Sequence, residues 1–253
     1  VAHVEAGLRS GDRRMPEEIN RIATDALSDI LFTYSADADE NLVAETVPTR
    51  CIHRVGNVMI DTLHRFRGKV AESTVIESLG LTPGGYALVT LHRVSNVDDA
   101  ERLNGFVGAL EQIQRRIPIV FPVHPRTRSR LGEFGLEGKL DAMDQLLRVD
   151  PLGYADSIRL QESARMALVD SGGIQEETTV LGVPCLTLRE NTERPVTVTE
   201  GTNRVVGCEP QQIVDEAFRV LDGDRKEGTI PDLWDGCAAS RIVDVLKDGF
   251  ERR

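Results

Sequence analysis

The four cysteines of this 253-residue chain, Cys51, Cys185, Cys208 and Cys237, are far apart and form no CxxC pair. Neither a metal site nor a disulfide framework is indicated, and scattered thiols fit a reducing, cytoplasmic setting. Long apolar runs are missing as well. None approaches the roughly 18 residues of a membrane span, and no basic start followed by an apolar h-region marks a secretory signal. Positive charge is in deficit: 30 Lys and Arg against 41 Asp and Glu leave a formal charge of −11. That argues against a nucleic-acid-coating surface, while leaving room for a local basic cleft. There is no internal repeat and no low-complexity segment. An initiator is missing too: residue 1 is Val, the first Met is Met15, and the chain opens directly into Val1-Ala2-His3-Val4. The expectation is an N-terminally incomplete protein. What is present, 40% hydrophobic and 28% charged residues, is enough for one large domain or two small ones.

Short β-rich runs alternate with helical patterns. Residues 1–4, 30–34 and 52–55 read as strands. Pro16 fits a first helical turn, and Ile19, Ile22, Ala23, Ala26 and Leu27 follow at the spacing of one apolar helical face. Residues 41–44 read as a polar-faced helix and 58–71 as another. Residues 72–85 are more polar and end in Thr82-Pro83-Gly84-Gly85, the best candidate linker. The alternation then restarts, with strands at 87–91, 118–123, 147–149, 166–169, 185–188 and 204–206. Helices fall at 99–116, 126–131, 157–163, 173–181, 211–221 and 239–250. Strands joined by helices predict right-handed βαβ units, hence an α/β fold with parallel sheets.

Four stretches carry chemistry. Asp170-Ser171-Gly172-Gly173-Ile174-Gln175-Glu176-Glu177 follows a buried-type strand and opens a helix. Its glycines let backbone amides approach an anion at a positive helix end, Ser171 can donate a hydroxyl, and Glu177 can accept from ribose hydroxyls. It is neither a P-loop nor GxGxxG, and a plain strand-to-helix turn is the alternative. His3-Val4-Glu5-Ala6-Gly7-Leu8-Arg9, followed by Pro16-Glu17-Glu18, sets Glu5 and Arg9 just past a strand end, where α/β sites form. Glu17 and Glu18 lie in a first helical turn, where compensation of the helix dipole is the bland alternative. His92-Arg93 and His124-Pro125-Arg126 end two strands and suggest an anion cleft, although single histidines are usually structural. Arg194, within Arg189-Glu190-Asn191-Thr192-Glu193-Arg194-Pro195, and Thr202 beyond it are set to meet phosphate or a neighbouring group, unless that stretch is a solvated loop.

The segments HVEAGLRS, MPEEINR, VGNVMIDTL, TLHR, VHPRT, PLGY, DSGGIQEE and NTERPVTVTEGTNRVVG, in this order, resemble the UDP-N-acetylglucosamine 2-epimerase family from residue 1 to about residue 222. The resemblance implies a GT-B-like architecture of two Rossmann-like domains. Residues 1–62 would be the second half of the N-terminal one, 63–85 a connecting helix and linker, and 86–238 a complete UDP-binding C-terminal domain. Residues 239–253 would form a helix returning towards the first. It implies interconversion of UDP-N-acetylglucosamine and UDP-N-acetylmannosamine by loss and re-addition of UDP with proton transfer at C2, without cofactor. Glu5 and Glu17 would be the acid–base carboxylates and His92 the group that assists the leaving UDP. Ser171, Gly172 and Gly173 would hold phosphate and Glu177 the ribose, with Arg9, Arg93, His124, Arg126 and Arg194 as further substrate contacts. A further family carboxylate, an Asp, lies upstream of HVEAGLR, so this chain alone is expected to be inactive or nearly so. The full-length protein would be a cytoplasmic homodimer. At Ser95 and Val196 the sequence departs from the family, many members having Glu there. A hydrolysing epimerase, a GT-B glycosyltransferase and a non-enzymatic nucleotide-sugar-binding protein are the alternatives.

Overall fold

The computed structural model describes residues 1–13 and 15–251, the side chains of 249–251 excepted. Arg252 and Arg253, at the end of the expected returning helix, lie outside the described residues. In chain order the first elements are β1 (Ala2–Val4), α1 (Pro16–Ala26), β2 (Ile30–Thr33), α2 (Ala36–Ala44), β3 (Ile52–Arg54), α3 (Val58–Glu72) and α4 (Val75–Ser78). Then come β4 (Ala87–Thr90), α5 (Val94–Val97), α6 (Ala100–Ile113), β5 (Ile119–Pro122), α7 (Pro125–Glu133), α8 (Glu137–Asp141), β6 (Leu146–Val149) and α9 (Tyr154–Ser163). The last are β7 (Met166–Val169), α10 (Gly172–Leu181), β8 (Cys185–Thr187), α11 (Pro195–Thr199), β9 (Asn203–Val205), α12 (Pro210–Leu221) and α13 (Ala238–Glu251).

Two parallel sheets result. The first runs β1-β2-β3, with Ala2 opposite Ile30 and Leu31 opposite Ile52. The second runs β6-β5-β4-β7-β8-β9, the doubly wound Rossmann order, in which the connections reverse direction between β4 and β7. Strands covered on both faces read as unbroken apolar runs, and Met166, Ala167, Leu168 and Val169 of β7 are all fully buried. The largest core packs the β4, β5 and β7 side chains Val89, Phe121 and Leu168 with Phe106 and Leu110 of α6 and Ile213 and Ala217 of α12.

Local signals start the helices. Asn57 and Asp99 cap α3 and α6 by accepting from the Met59 and Arg102 amides at 2.8 and 2.9 Å. His124 Nδ1 does the same for α7, taking the Arg126 N–H at 3.2 Å, with Pro125 in the first turn.

The structure differs from the sequence-based expectation in several places, among them the short helices α5 and α8, which the periodicity did not mark. The stretch 72–85 is not a bare linker, because α4 buries Val75 and Ile76 against Tyr86, Leu88 and Leu160. Residues 195–199 form the short helix α11 inside what read as a loop. The apolar stripe of α1 is turned outwards: Ile19 and Leu27 are exposed, and the buried residues of that helix are Glu18 and Asp25.

Beyond α12 the chain crosses back to the first sheet. Trp234 is buried beside Tyr34, rings edge-on at 5.5 Å, and its indole N–H donates to the Tyr34 carbonyl at 3.0 Å. Gly56, at φ +94°, lets the crossing segment pass, since a Cβ there would fall 2.1 Å from the Leu233 carbonyl oxygen. The Asp61 carboxylate then accepts the Ala238 and Ala239 amides at 3.0 and 2.7 Å, starting α13 against α3.

Candidate active site

Open α/β sheets hold ligands beyond the carboxyl ends of the strands, where the strand order reverses. Here that position belongs to His92 and Arg93 after β4 and to Asp170, Ser171 and Gly172 after β7. Asp170 joins the two ends. Fully buried, it accepts the His92 and Arg93 amides at 2.9 and 2.8 Å and lies 2.9 Å from His92 Nδ1. Burial alone would raise the pKa of Asp170, but the His92 side chain and these amides outweigh it and hold the carboxyl below its usual range. An ionised Asp170 fixes the His92 ring through Nδ1 and leaves Nε2 for a ligand. The ring of His124, from the end of β5, stands 5.5 Å away, so the two strand-end histidines do come together.

Helix α10 begins at Gly172, with Ser171 in the N-cap position making no capping hydrogen bond and no acidic residue in the first turn. Above it lies Arg194, whose Nη1 would be only 2.2 Å from a Cβ on Gly172, so only glycine admits the guanidinium there. Gly173 faces Met59 of α3, whose methyl would be 3.9 Å from a Cβ. Glu177 is buried two turns along and accepts from Gln161 Nε2 at 2.8 Å. Burial raises its pKa against the pull of that bond.

A cluster that the sequence reading missed links these groups to the first sheet. The Glu193 carboxylate is fully buried, with guanidinium nitrogens of Arg189, Arg194, Arg93 and Arg21 at 2.7, 2.9, 3.1 and 3.7 Å. Burial opposes its ionisation, yet the neighbouring arginines, Arg194 foremost, hold its pKa at about 2. Arg21 comes from α1, so the cluster spans both sheet units. Arg194 Nε also donates to Glu176 Oε1 at 2.8 Å. Glu176 is fully buried, and burial, helped by the negative charge of Glu5 and opposed by Arg194, pushes its pKa up to about 7. Tyr34 shares this environment. Burial first and the charge of Glu176 second raise its pKa, although the phenol makes no hydrogen bond of regular geometry among the described residues. The one sequence signal for the hub was the pair Arg189 and Arg194 flanking Glu193. For Tyr34 there was none, because its partners are remote in the chain.

Glu5, just past β1, sits at φ +65°, a left-handed conformation uncommon for a non-glycine residue, and its carboxylate is half-buried next to that cluster. Glu17 is 52% exposed, with Oε1 3.6 Å from Arg93 Nη1. Its neighbour Glu18 is buried and accepts the Ser10 and Gly11 amides at 2.8 and 2.9 Å, a structural clasp rather than dipole compensation. Between the units opens a cavity of about 630 Å³, lined on one side by Met15 and Glu17 and on the other by Arg93, Ser95 and Arg189. His92 and Ser171 are not among its lining residues, and Arg93 connects it to their crevice.

Three sequence-nominated residues are engaged elsewhere. Arg9 forks onto Glu45 at 2.7 and 2.6 Å and meets Asp25 at 2.7 Å, tying the turn after β1 to α1 and α2. Arg126 Nε donates to Asp98 Oδ1 at 2.9 Å, and Arg130 joins the same carboxylate at 3.0 Å. Thr202 is buried, with its hydroxyl on the Val183 carbonyl at 2.7 Å, so it is a packing residue. Among the described residues no group of three or more His, Cys, Asp or Glu side chains could hold a metal ion, and no helix is long and apolar enough to cross a membrane.

Known proteins resemble this chain over nearly its whole length. A UDP-N-acetylglucosamine 2-epimerase from Methanocaldococcus jannaschii is 41% identical over 98% of this chain and 69% of its own length. A UDP-2,3-diacetamido-2,3-dideoxy-D-glucuronate 2-epimerase from Pseudomonas aeruginosa is 40% identical over 97% of this chain and 67% of its own. The crystal structure of the M. jannaschii UDP-GlcNAc 2-epimerase in complex with UDP-GlcNAc and UDP superposes with a TM-score of 0.90 at 40% identity, covering 98% of this chain and 68% of that one. The family's sequence model matches residues 1–247, and the chain belongs to the UDP-N-acetylglucosamine 2-epimerase family.

Proposed function

We propose that this protein interconverts UDP-N-acetylglucosamine and UDP-N-acetylmannosamine without net hydrolysis. The convergence at the strand-order reversal carries the reading: His92, fixed by Asp170, and the Ser171–Gly172 helix start under Arg194 form one electropositive crevice facing the carboxylates of the first sheet unit. The UDP diphosphate lies at the start of α10, where free amides, the Ser171 hydroxyl and Arg194 stabilise charge that grows as UDP leaves. Glu177 accepts from the ribose hydroxyls. Glu5 and Glu17 exchange the C2 proton, one on each face of the sugar, because inversion requires removal on one side and delivery on the other. The C2–H electrons form a C1=C2 double bond as the C1–O bond breaks, giving an enol ether and UDP. Re-addition of UDP at C1 with protonation at C2 closes the cycle. His92 Nε2 meets the departing phosphate oxygen.

Arg93 and His124 stay within this crevice as substrate contacts, whereas Arg9 and Arg126 position the turns that carry Glu5 and His124. The family pattern places one more acid–base Asp upstream of HVEAGLR, so the proposal holds that the 253-residue chain turns over poorly by itself. Deuterium incorporation at C2 of UDP-N-acetylglucosamine in D2O, followed by NMR for the chain and for an upstream-extended form, tests both points. Exchange with retention of the UDP-sugar is expected in the extended form. Release of free sugar would assign a hydrolysing enzyme, and absence of exchange in both forms would reject the epimerase reading. The P. aeruginosa relative, at 40% identity against 41%, favours a second reading in which the sugar is a 2,3-diacetamido uronate. Parallel assays with both UDP-sugars distinguish them.

A further inference from the structure

We propose a second anion-binding site, at the opposite end of the second sheet. A pocket of about 410 Å³ opens there, with Gly84 and Arg165, which precede β4 and β7, in its wall. The proposed active crevice lies at the other ends of the same strands, so the two are separated by a strand length, roughly 13 Å at 3.3 Å per residue. Four guanidiniums, of Arg67 on α3, Arg159 on α9, Arg165 and Arg225, line the pocket, and Glu162 is its single carboxylate. Glu162 is already shared, with Arg67 at 2.9 Å and Arg159 at 2.7 Å. Among the described residues Arg165 and Arg225 have no carboxylate within ion-pair distance, and Arg159 Nε is buried without a hydrogen-bond partner. A local excess of three positive charges in a chain of net charge −11 raises the concentration of anions at this pocket.

The chemistry selects a compact phosphate-bearing ligand. Guanidinium forks match pairs of phosphoryl oxygens, and the four arginines come from three separate stretches of chain, which suits a diphosphate better than one planar carboxylate. A bound diphosphate clamps the connecting helix α3 and the linker at Gly84 onto α9.

The probe is inorganic pyrophosphate, titrated into the chain in excess UDP by calorimetry, with arginine Nε–H NMR signals followed in parallel. One pyrophosphate per chain is expected, shifting the Arg159 signal. The double variant Arg165→Ala/Arg225→Ala should bind about a hundredfold more weakly, about tenfold for each guanidinium removed. Gly172→Ala, which alters the other anion position, should bind pyrophosphate as the parent does. Because both arginines lie outside the core, an unchanged melting temperature without anion shows that the double variant is folded. Failure to bind pyrophosphate in excess UDP, or equal affinity in parent and double variant, would overturn the site. Uptake at these arginines by a chain that ignores UDP would reject the epimerase reading and leave this inference standing.

Discussion

The Glu193 carboxylate has no exposure and four guanidiniums within 4 Å, and its removal leaves those cations facing one another. Glu193→Gln is therefore expected to lower the unfolding free energy at pH 7 by ~3–5 kcal/mol, the usual cost of breaking a buried ion pair from one side. Its folded-state pKa of about 2 lies below the ordinary 4.5, so the stabilisation is complete above pH 4.5 and fades as the pH falls towards 2. Urea titrations of parent and variant at pH 7 and pH 3 check this, since the gap between them should be smaller at pH 3. Gly172→Ala inserts a methyl against the Arg194 guanidinium and should weaken UDP binding tenfold or more. Glu177→Ala should do so by a similar factor, a charged hydrogen bond being worth ~1.5–3 kcal/mol. Calorimetry with UDP decides both, and unchanged affinity in either variant would displace that residue from the site. The strand-end positions of His92 and Ser171 were legible because the strand-then-turn signal is local. Glu176, Tyr34 and Arg21 were not, because a buried cluster assembled from five separate stretches has no signature in any one of them.

Period-based reading recovered the strands and long helices, since burial on one stripe or on both faces writes itself into spacing. It could not find α4, α5, α8 and α11, helices too short for a period, nor say what covers an apolar stripe. For α1 that stripe faces solvent, with Ile19 41% and Leu27 77% exposed, and the adjoining edge strand β1 leaves Val1 and Val4 exposed beside it. Uncovered strand edges and apolar helix faces promote association. The chain should therefore self-associate at micromolar concentration, and Ile19→Lys/Leu27→Lys should shift it towards monomer in sedimentation velocity without lowering its melting temperature. A double variant that associates as the parent does would place the contact elsewhere.

At the scale of the whole molecule, two of the ties between the sheets lie far apart in sequence: the arginine hub around Glu193 and the crossing segment at Trp234. That the final helix returns to the first sheet was expected from the family pattern. That it does so through an aromatic pair, passing over Gly56, was not, because Tyr34 and Trp234 lie 200 residues apart in the chain. Trp234→Ala should cost ~3–5 kcal/mol as a buried aromatic truncation, seen as a lower urea midpoint. UDP at a hundred times its dissociation constant should add ~2.7 kcal/mol to the parent, if binding is confined to the folded state. Trp234 is also the chain's single tryptophan. Its emission therefore comes from one place, an indole shielded from water and bonded to the Tyr34 carbonyl. Release of the crossing segment would shift that emission to the red while the circular dichroism of both sheets stayed unchanged. The protein thus carries its own optical gauge of whether its far end is still fastened to its beginning.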